Sequence, residues 1–186
     1  MEYRYTIETK KECFLKTISD TLRKQYGEKI SESELKSKIK KSMNIPSKLI
    51  TLSKRTKDMT FKKIYNFISK TSGLKNKKLL NTISSLIMME RDKCFVNEYI
   101  IKHLCKSLKI KLIIYTKGKP LKNGKVYGSM YKKKLFIKQT STNTMFRVMT
   151  YSKVETITDE FFKKLSNVRN LSDKKGKYNR FGLSSN

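Results

Sequence analysis

Apolar positions in residues 94–116 change their period, which predicts a helix followed by a strand. From Val96 to Leu108 every fourth residue is apolar, the spacing of one face of an α-helix. Residues 110–115 are then almost uniformly apolar and include β-branched side chains, a pattern typical of a strand buried on both sides. We therefore predict an α/β unit here and expect residues 110–115 to form the centre of its sheet.

The chain before this stretch is predicted to contain one short strand and four helices. Alternating residues 3–7 favour the strand. Helical spacing, together with residues that cap or end helices, predicts four helices. They cover residues 13–26, the stretch from Ser31 to just before Pro46, residues 60–71 and residues 76–90. Cys13 falls at the start of the first helix, where unpaired amides and the helix dipole favour a thiolate.

Three more strands and a last helix are predicted after residue 115. Residues 126–131, 134–139 and 144–151 favour antiparallel strands, and Thr158 can cap a final helix. The remaining residues are polar and basic. We predict a single domain in residues 1–169 and a basic, disordered tail in residues 170–186.

Charge is the most unusual feature of the composition. The chain has 44 basic and 15 acidic residues, a formal net charge of +29. Such a protein attracts polyanions, so nucleic acid or another polyanion is an expected partner. The candidate contacts are the lysines of two short runs, Lys132, Lys133, Lys134, Lys174, Lys175 and Lys177. Because lysines are spread over the whole chain, the alternatives are a solvated surface and the codon bias of an A/T-rich genome.

Other site classes have little support in the sequence. No apolar run approaches the roughly 18 residues of a membrane span, and no secretory signal is recognisable, so we expect an intracellular protein without a membrane partner. The three cysteines form no C-x-x-C pair and His103 is the single histidine, which argues against a structural metal site. We expect free thiols and no cofactor.

Two segments, ECFLKTISDTL starting at Glu12 and residues 95–115, together resemble the ovarian-tumour (OTU) family of cysteine proteases, which remove ubiquitin. The segment ECFLKTISDTL, starting at Glu12, is similar to the family's nucleophile segment, and residues 95–115 are similar to its helix leading into a buried strand. The resemblance covers roughly residues 7–151. It implies a papain-type α/β (α+β) cysteine protease fold, with N-terminal helices packed on a small central sheet and Cys13 at the position of the nucleophile.

The sequence departs from the family where proton transfer takes place. Lys10 stands where the family has an aspartate, and Met145 stands where it has the catalytic histidine. A cysteine protease needs a base for its thiol and an acid for the leaving amine, and methionine is neither. His103 lies elsewhere, in the helix before the central strand, where a surface histidine is the simpler interpretation. We therefore expect Cys13 not to be competent for catalysis.

Three hypotheses follow from these observations. The first is a catalytically degenerate OTU-like domain that binds ubiquitin, nucleic acid or both. Its source would be a large DNA virus, which would place it in the host cytoplasm or virion. The second is an active deubiquitinase with Cys13 as nucleophile and a non-standard base. The third is a basic nucleic-acid-binding α/β module unrelated to the OTU family, in which Cys13 is a small apolar residue at a helix start.

Overall fold

The structure is a computed structural model that describes residues 3–47, 51–116, 124–140 and 144–153. The chain divides into two compact units, Thr6–Thr150 and a second unit made of Met1–Tyr5 with Tyr151–Asn186. The hydrophobic cores and the candidate site belong to Thr6–Thr150. The predicted last helix and the predicted tail, residues 170–186, lie outside the described residues.

Helices begin and end close to the predicted positions. They are α1 (Phe14–Tyr26), α2 (Glu32–Met43), a 3-10 helix (Thr51–Thr56), α3 (Phe61–Ser72), α4 (Lys77–Arg91) and α5 (Glu98–Leu108). Local chemistry fixes these ends. Ser31 and Glu34 form the predicted capping box at α2, and Gly27 ends α1 in the left-handed conformation with φ 68°.

The strands form one mixed sheet. They are β1 (Tyr3–Ile7), β2 (Glu12–Cys13), β3 (Ile110–Thr116), β4 (Lys125–Tyr127), β5 (Lys133–Gln139) and β6 (Met145–Lys153). The strand order is β1-β6-β5-β3-β4, and β2 pairs with β6 outside this path. The predicted α/β class, with N-terminal helices packed on a small sheet, is confirmed.

One detail of the predicted sheet is wrong. β5 and not β3 is the middle strand, and β5 also pairs in parallel with β3, a pairing that the sequence pattern did not predict. The other two pairings, β3 with β4 and β5 with β6, are antiparallel as expected. Local periodicity gives the faces of a strand but does not specify its neighbours, which explains why the middle strand was misplaced.

Two hydrophobic cores hold the helices in place. The larger lies between the sheet and helices α1, α2 and α5, and it includes the fully buried Leu22, Leu35 and Leu104. The smaller lies between α3 and α4, around Ile64, Ile68 and Ile83. The larger core fixes the N-terminal end of α1 against β6, which is where the candidate site lies.

Candidate functional site

Cys13 lies where the second strand ends and the first helix begins. It is the last residue of β2 and the N-cap of α1, with extended backbone angles of φ −62° and ψ 156°. Its side chain makes no capping hydrogen bond, so the sulfur does not satisfy the first amides of the helix. Cys13 therefore lies at the start of the first helix, as the sequence predicted.

Met145 lies directly opposite Cys13. In the antiparallel pairing of β2 with β6, Cys13 is the partner of Met145 and Glu12 is the partner of Phe146. Directly opposed residues point to the same face of a sheet, with Cβ atoms about 5 Å apart. The structure thus brings together the two positions that the resemblance assigns to the nucleophile and to the base.

The aromatic neighbours of this pair fix it in place. The rings of Phe14 and Phe146 meet edge to face, with centroids 5.2 Å apart and planes at 64°. Both side chains are 1% exposed, so they join the start of α1 to β6 inside the larger core. The register between Cys13 and Met145 therefore rests on buried aromatic packing as well as on a two-residue strand.

Cys94 is a second cysteine at this site. It forms a disulfide with Cys13 across a sequence separation of 81 residues, with Cα atoms 4.7 Å apart. Its backbone amide donates to Asp92 Oδ1 at 2.9 Å, which fixes the loop that precedes α5. The expectation of free thiols is wrong for Cys13 and Cys94, because sequence spacing did not indicate that this loop lies beside α1. Cys105 is free and buried.

Lys10 lies next to this site along the chain, but its side chain points to solvent. It is 75% exposed and forms an ion pair with Glu12 Oε1 at 2.6 Å. This contact raises the pKa of Lys10 above its ordinary value through the hydrogen bond with Glu12 and the charge of that carboxylate. An ammonium group paired in this way cannot orient an imidazole as an aspartate does.

His103 is engaged on another surface of the domain. It lies in α5, and its Nδ1 is 3.0 Å from Ser42 Oγ in α2. Burial lowers the pKa of His103, and the positive charge of Lys106 lowers it further. No hydrogen bond within the described part of the chain joins this imidazole to Cys13. His103 is half-buried between two helices, at the flank of the apolar face, and it is not fully exposed.

The predicted basic run at residues 132–134 is not uniformly free. Lys133 pairs with Glu28, and its ammonium group lies 4.7 Å from the centre of the Tyr26 ring. Lys132 and Lys134 are exposed. The other predicted contacts, Lys174, Lys175 and Lys177, lie outside the described residues. Sequence reasoning missed the contact of Lys133 because Glu28 is distant along the chain.

The described ranges lack metal-binding clusters and membrane-spanning helices. They contain no group of three or more His, Cys, Asp and Glu residues able to hold a metal ion. None of the helices described there is long and apolar enough to cross a membrane.

Comparisons with known proteins give one structural similarity. No protein family model matches the chain. No curated protein matches it in sequence. Among solved structures it is similar to an OTU deubiquitinase from Wolbachia pipientis wMel, with a TM-score of 0.44 and 12% identity over 81% of this chain and 93% of that chain.

Proposed function

We propose that Thr6–Thr150 is an OTU-like domain that binds ubiquitin or a ubiquitin-like protein and does not hydrolyse it. The observation that carries the proposal is the pairing of Cys13 with Met145. The sequence resemblance, which does not use the pairing of strands, assigns the nucleophile and the base to these two positions. A chance alignment of residues 132 positions apart would rarely place them opposite each other in a sheet.

The absence of hydrolysis is inferred from what surrounds Cys13. A thioether at position 145 cannot take a proton from the thiol or return one to the leaving amine. Lys10, at the position of the orienting aspartate, is paired with Glu12 in solvent. The one histidine is hydrogen-bonded to Ser42. A cysteine in a disulfide is in addition not a nucleophile until it is reduced.

Restoring the base tests this proposal directly. We expect reduced wild-type protein to release no more fluorophore from ubiquitin with a C-terminal fluorogenic amide than Cys13→Ala does. Met145→His should raise the rate by about 100-fold or more, the usual contribution of a positioned general base. The matched controls are Met145→Gln, which adds polarity without a base, and Met145→His combined with Cys13→Ala.

Each outcome of this experiment has a defined meaning. Hydrolysis by the wild type that Cys13→Ala abolishes would contradict the non-catalytic assignment and favour an active deubiquitinase with a non-standard base. No gain in folded Met145→His protein that still binds ubiquitin would contradict the assignment of residues 13 and 145 as nucleophile and base positions.

A second partner, nucleic acid, is favoured by the charge of the molecule. The net charge of +29 predicts sequence-independent attraction to phosphate backbones. The same charge favours the alternative of a basic α/β module outside the OTU family. Ubiquitin binding separates these two interpretations, because only the OTU-like domain is expected to recognise ubiquitin. An origin in a large DNA virus stays a prediction.

A further inference from the structure

The helical hairpin formed by α3 and α4 is basic and has no acidic residue through most of its length. Residues 59–89 contain six lysines and neither aspartate nor glutamate. All six lysine side chains are exposed, namely Lys62, Lys63, Lys70, Lys75, Lys77 and Lys78. None of them belongs to an ion pair among the described residues, whereas Lys40, Lys125 and Lys133 elsewhere in the domain are paired with glutamates.

The lysines of α3 share the solvent side of the helix. At 100° per residue, Lys62, Lys63 and Lys70 fall within about 100° of arc. Ile64 and Ile68 point the opposite way and are fully buried against α4. The packing of the smaller core therefore fixes which side of the hairpin carries the charge.

The turn of the hairpin concentrates the charge further. Gly73 ends α3 with φ 67°, and Asn76 caps α4 by accepting from the Leu79 amide at 3.1 Å. This short connection brings Lys70, at the end of α3, close along the chain to the lysines that begin α4. We call Lys70, Lys75, Lys77 and Lys78 the hairpin tip.

The positive charge at the tip also acts on His103 of the neighbouring helix α5. His103 of α5 has its pKa lowered mainly by burial, and Lys106 and Lys78 add to this effect. The contact of Ser42 on α2 acts in the opposite direction. The charge of Lys78 therefore acts on a side chain of α5 as well as on the hairpin.

We propose that this hairpin surface, centred on the tip, binds the phosphate backbone of duplex nucleic acid without reading its bases. The proposal rests on the nucleic-acid part of the proposed function and gives that partner a location. It replaces the lysine run at residues 132–134 as the main contact, because Lys133 already pairs with Glu28. Lysines that are not paired with carboxylates can neutralise phosphates, and this releases the counterions condensed on the nucleic acid.

The side chains of the hairpin favour a duplex over a single strand. Single-stranded nucleic acid is bound by stacking bases on exposed aromatic side chains. In the hairpin Phe61 stacks on Phe95, with centroids 6.1 Å apart, and Tyr65 and Phe67 pack against the smaller core. The aromatic rings are therefore occupied, and the lysines are the groups left for a ligand.

The same surface is poorly suited to a lipid membrane. Binding in the plane of a membrane needs an apolar face beside the basic one. The exposed large hydrophobic side chains of the described residues are Tyr26, Val126 and Met130, all outside the hairpin. A polyanion that offers charge alone fits the hairpin better.

Salt-dependent binding to a labelled DNA duplex of mixed sequence tests the proposal. The hairpin variant is Lys75→Gln, Lys77→Gln and Lys78→Gln. The control variant, Lys29→Gln, Lys132→Gln and Lys134→Gln, removes the same charge from exposed lysines outside the hairpin. We expect the hairpin variant to bind on the order of 100-fold more weakly near 0.1 M salt. The slope of log K against log salt should become shallower by about 0.9 per lost phosphate contact.

The outcomes separate this proposal from the one on which it rests. Absence of DNA binding by the wild type would overturn both the hairpin site and nucleic acid as a partner. Binding to phosphatidylserine vesicles without binding to DNA would overturn the same two claims. Equal losses in the two variants, or a larger loss in the control, would overturn the hairpin while leaving nucleic acid as a partner. Much tighter binding to a single strand than to the duplex would overturn the duplex assignment.

Discussion

Cys13 is tied into the fold at three points, as the N-cap of α1, as the strand partner of Met145 and through its disulfide with Cys94. Its place at the start of α1 followed from the apolar spacing of the helix, and its pairing with Met145 followed from the resemblance. Its disulfide with Cys94 could not be predicted. No sequence rule links two cysteines that far apart until the loop before α5 is placed against α1.

His103 gives a prediction for the pH dependence of stability. Its pKa in the folded protein is lower than the ordinary value, first through burial and then through Lys106, with Lys78 contributing and the Ser42 contact opposing. Between the lowered pKa and the unfolded value of about 6.5 the unfolded chain binds more protons, so the free energy of unfolding falls as pH drops through this window.

The measurement is urea unfolding at a series of pH values. As the pH is lowered from about 7.5 to 5.5, we expect the free energy of unfolding to fall less for His103→Gln than for the wild type. The variant lacks the one imidazole that the unfolded chain protonates in this range. Ser42→Ala, which keeps the imidazole but removes its hydroxyl partner, should keep the pH dependence. Identical pH profiles for the wild type and His103→Gln would contradict the burial of this side chain.

At the scale of elements, sequence patterns predicted helices better than sheet topology. The helix ends at Ser31, Gly27 and Gly73 are set by local hydrogen bonds and backbone angles, which a sequence can show. The parallel pairing of β3 with β5 depends on where β5 lies in the folded domain, which the local pattern does not show. The two-residue strand β2 is too short to show a hydrophobic period. Packing, through Phe14 and Phe146, decides where β2 pairs.

The disulfide ties two elements together and predicts a redox-dependent stability. It joins the start of α1 to the loop before α5, closing a loop with a sequence separation of 81 residues. We expect reduction or Cys94→Ser to lower the free energy of unfolding by about 2–4 kcal/mol, because the reduced unfolded chain gains conformational freedom.

Chemical unfolding with and without a reductant measures this difference. The wild type should shift to a lower denaturant midpoint on reduction, whereas Cys94→Ser should be insensitive to the reductant. Cys105 should not react with an alkylating agent in the folded protein, because burial raises the pKa of its thiol to about 11. A wild type whose midpoint does not respond to reduction would contradict a disulfide that stabilises the fold.

At the scale of the whole molecule, the predicted site and the predicted charge belong to different surfaces. Cys13 and Met145 lie where α1 meets the sheet, whereas six exposed lysines without an ion pair among the described residues lie on the α3–α4 hairpin. A domain that binds a ubiquitin-like protein at one surface and nucleic acid at the other would connect the two partners. Composition predicted the charge, but only the packing of α3 on α4 shows which lysines share a face.

The most direct test of the central claim uses ubiquitin carrying a thiol-reactive group at its C-terminus. A site that recognises ubiquitin next to Cys13 should form a covalent adduct in the reduced protein, because the probe needs only a positioned thiol. We predict that Cys13→Ala abolishes the adduct and that Cys94→Ala keeps it. No adduct in folded, reduced wild-type protein, or an adduct that survives Cys13→Ala, would contradict a ubiquitin-recognising site at Cys13.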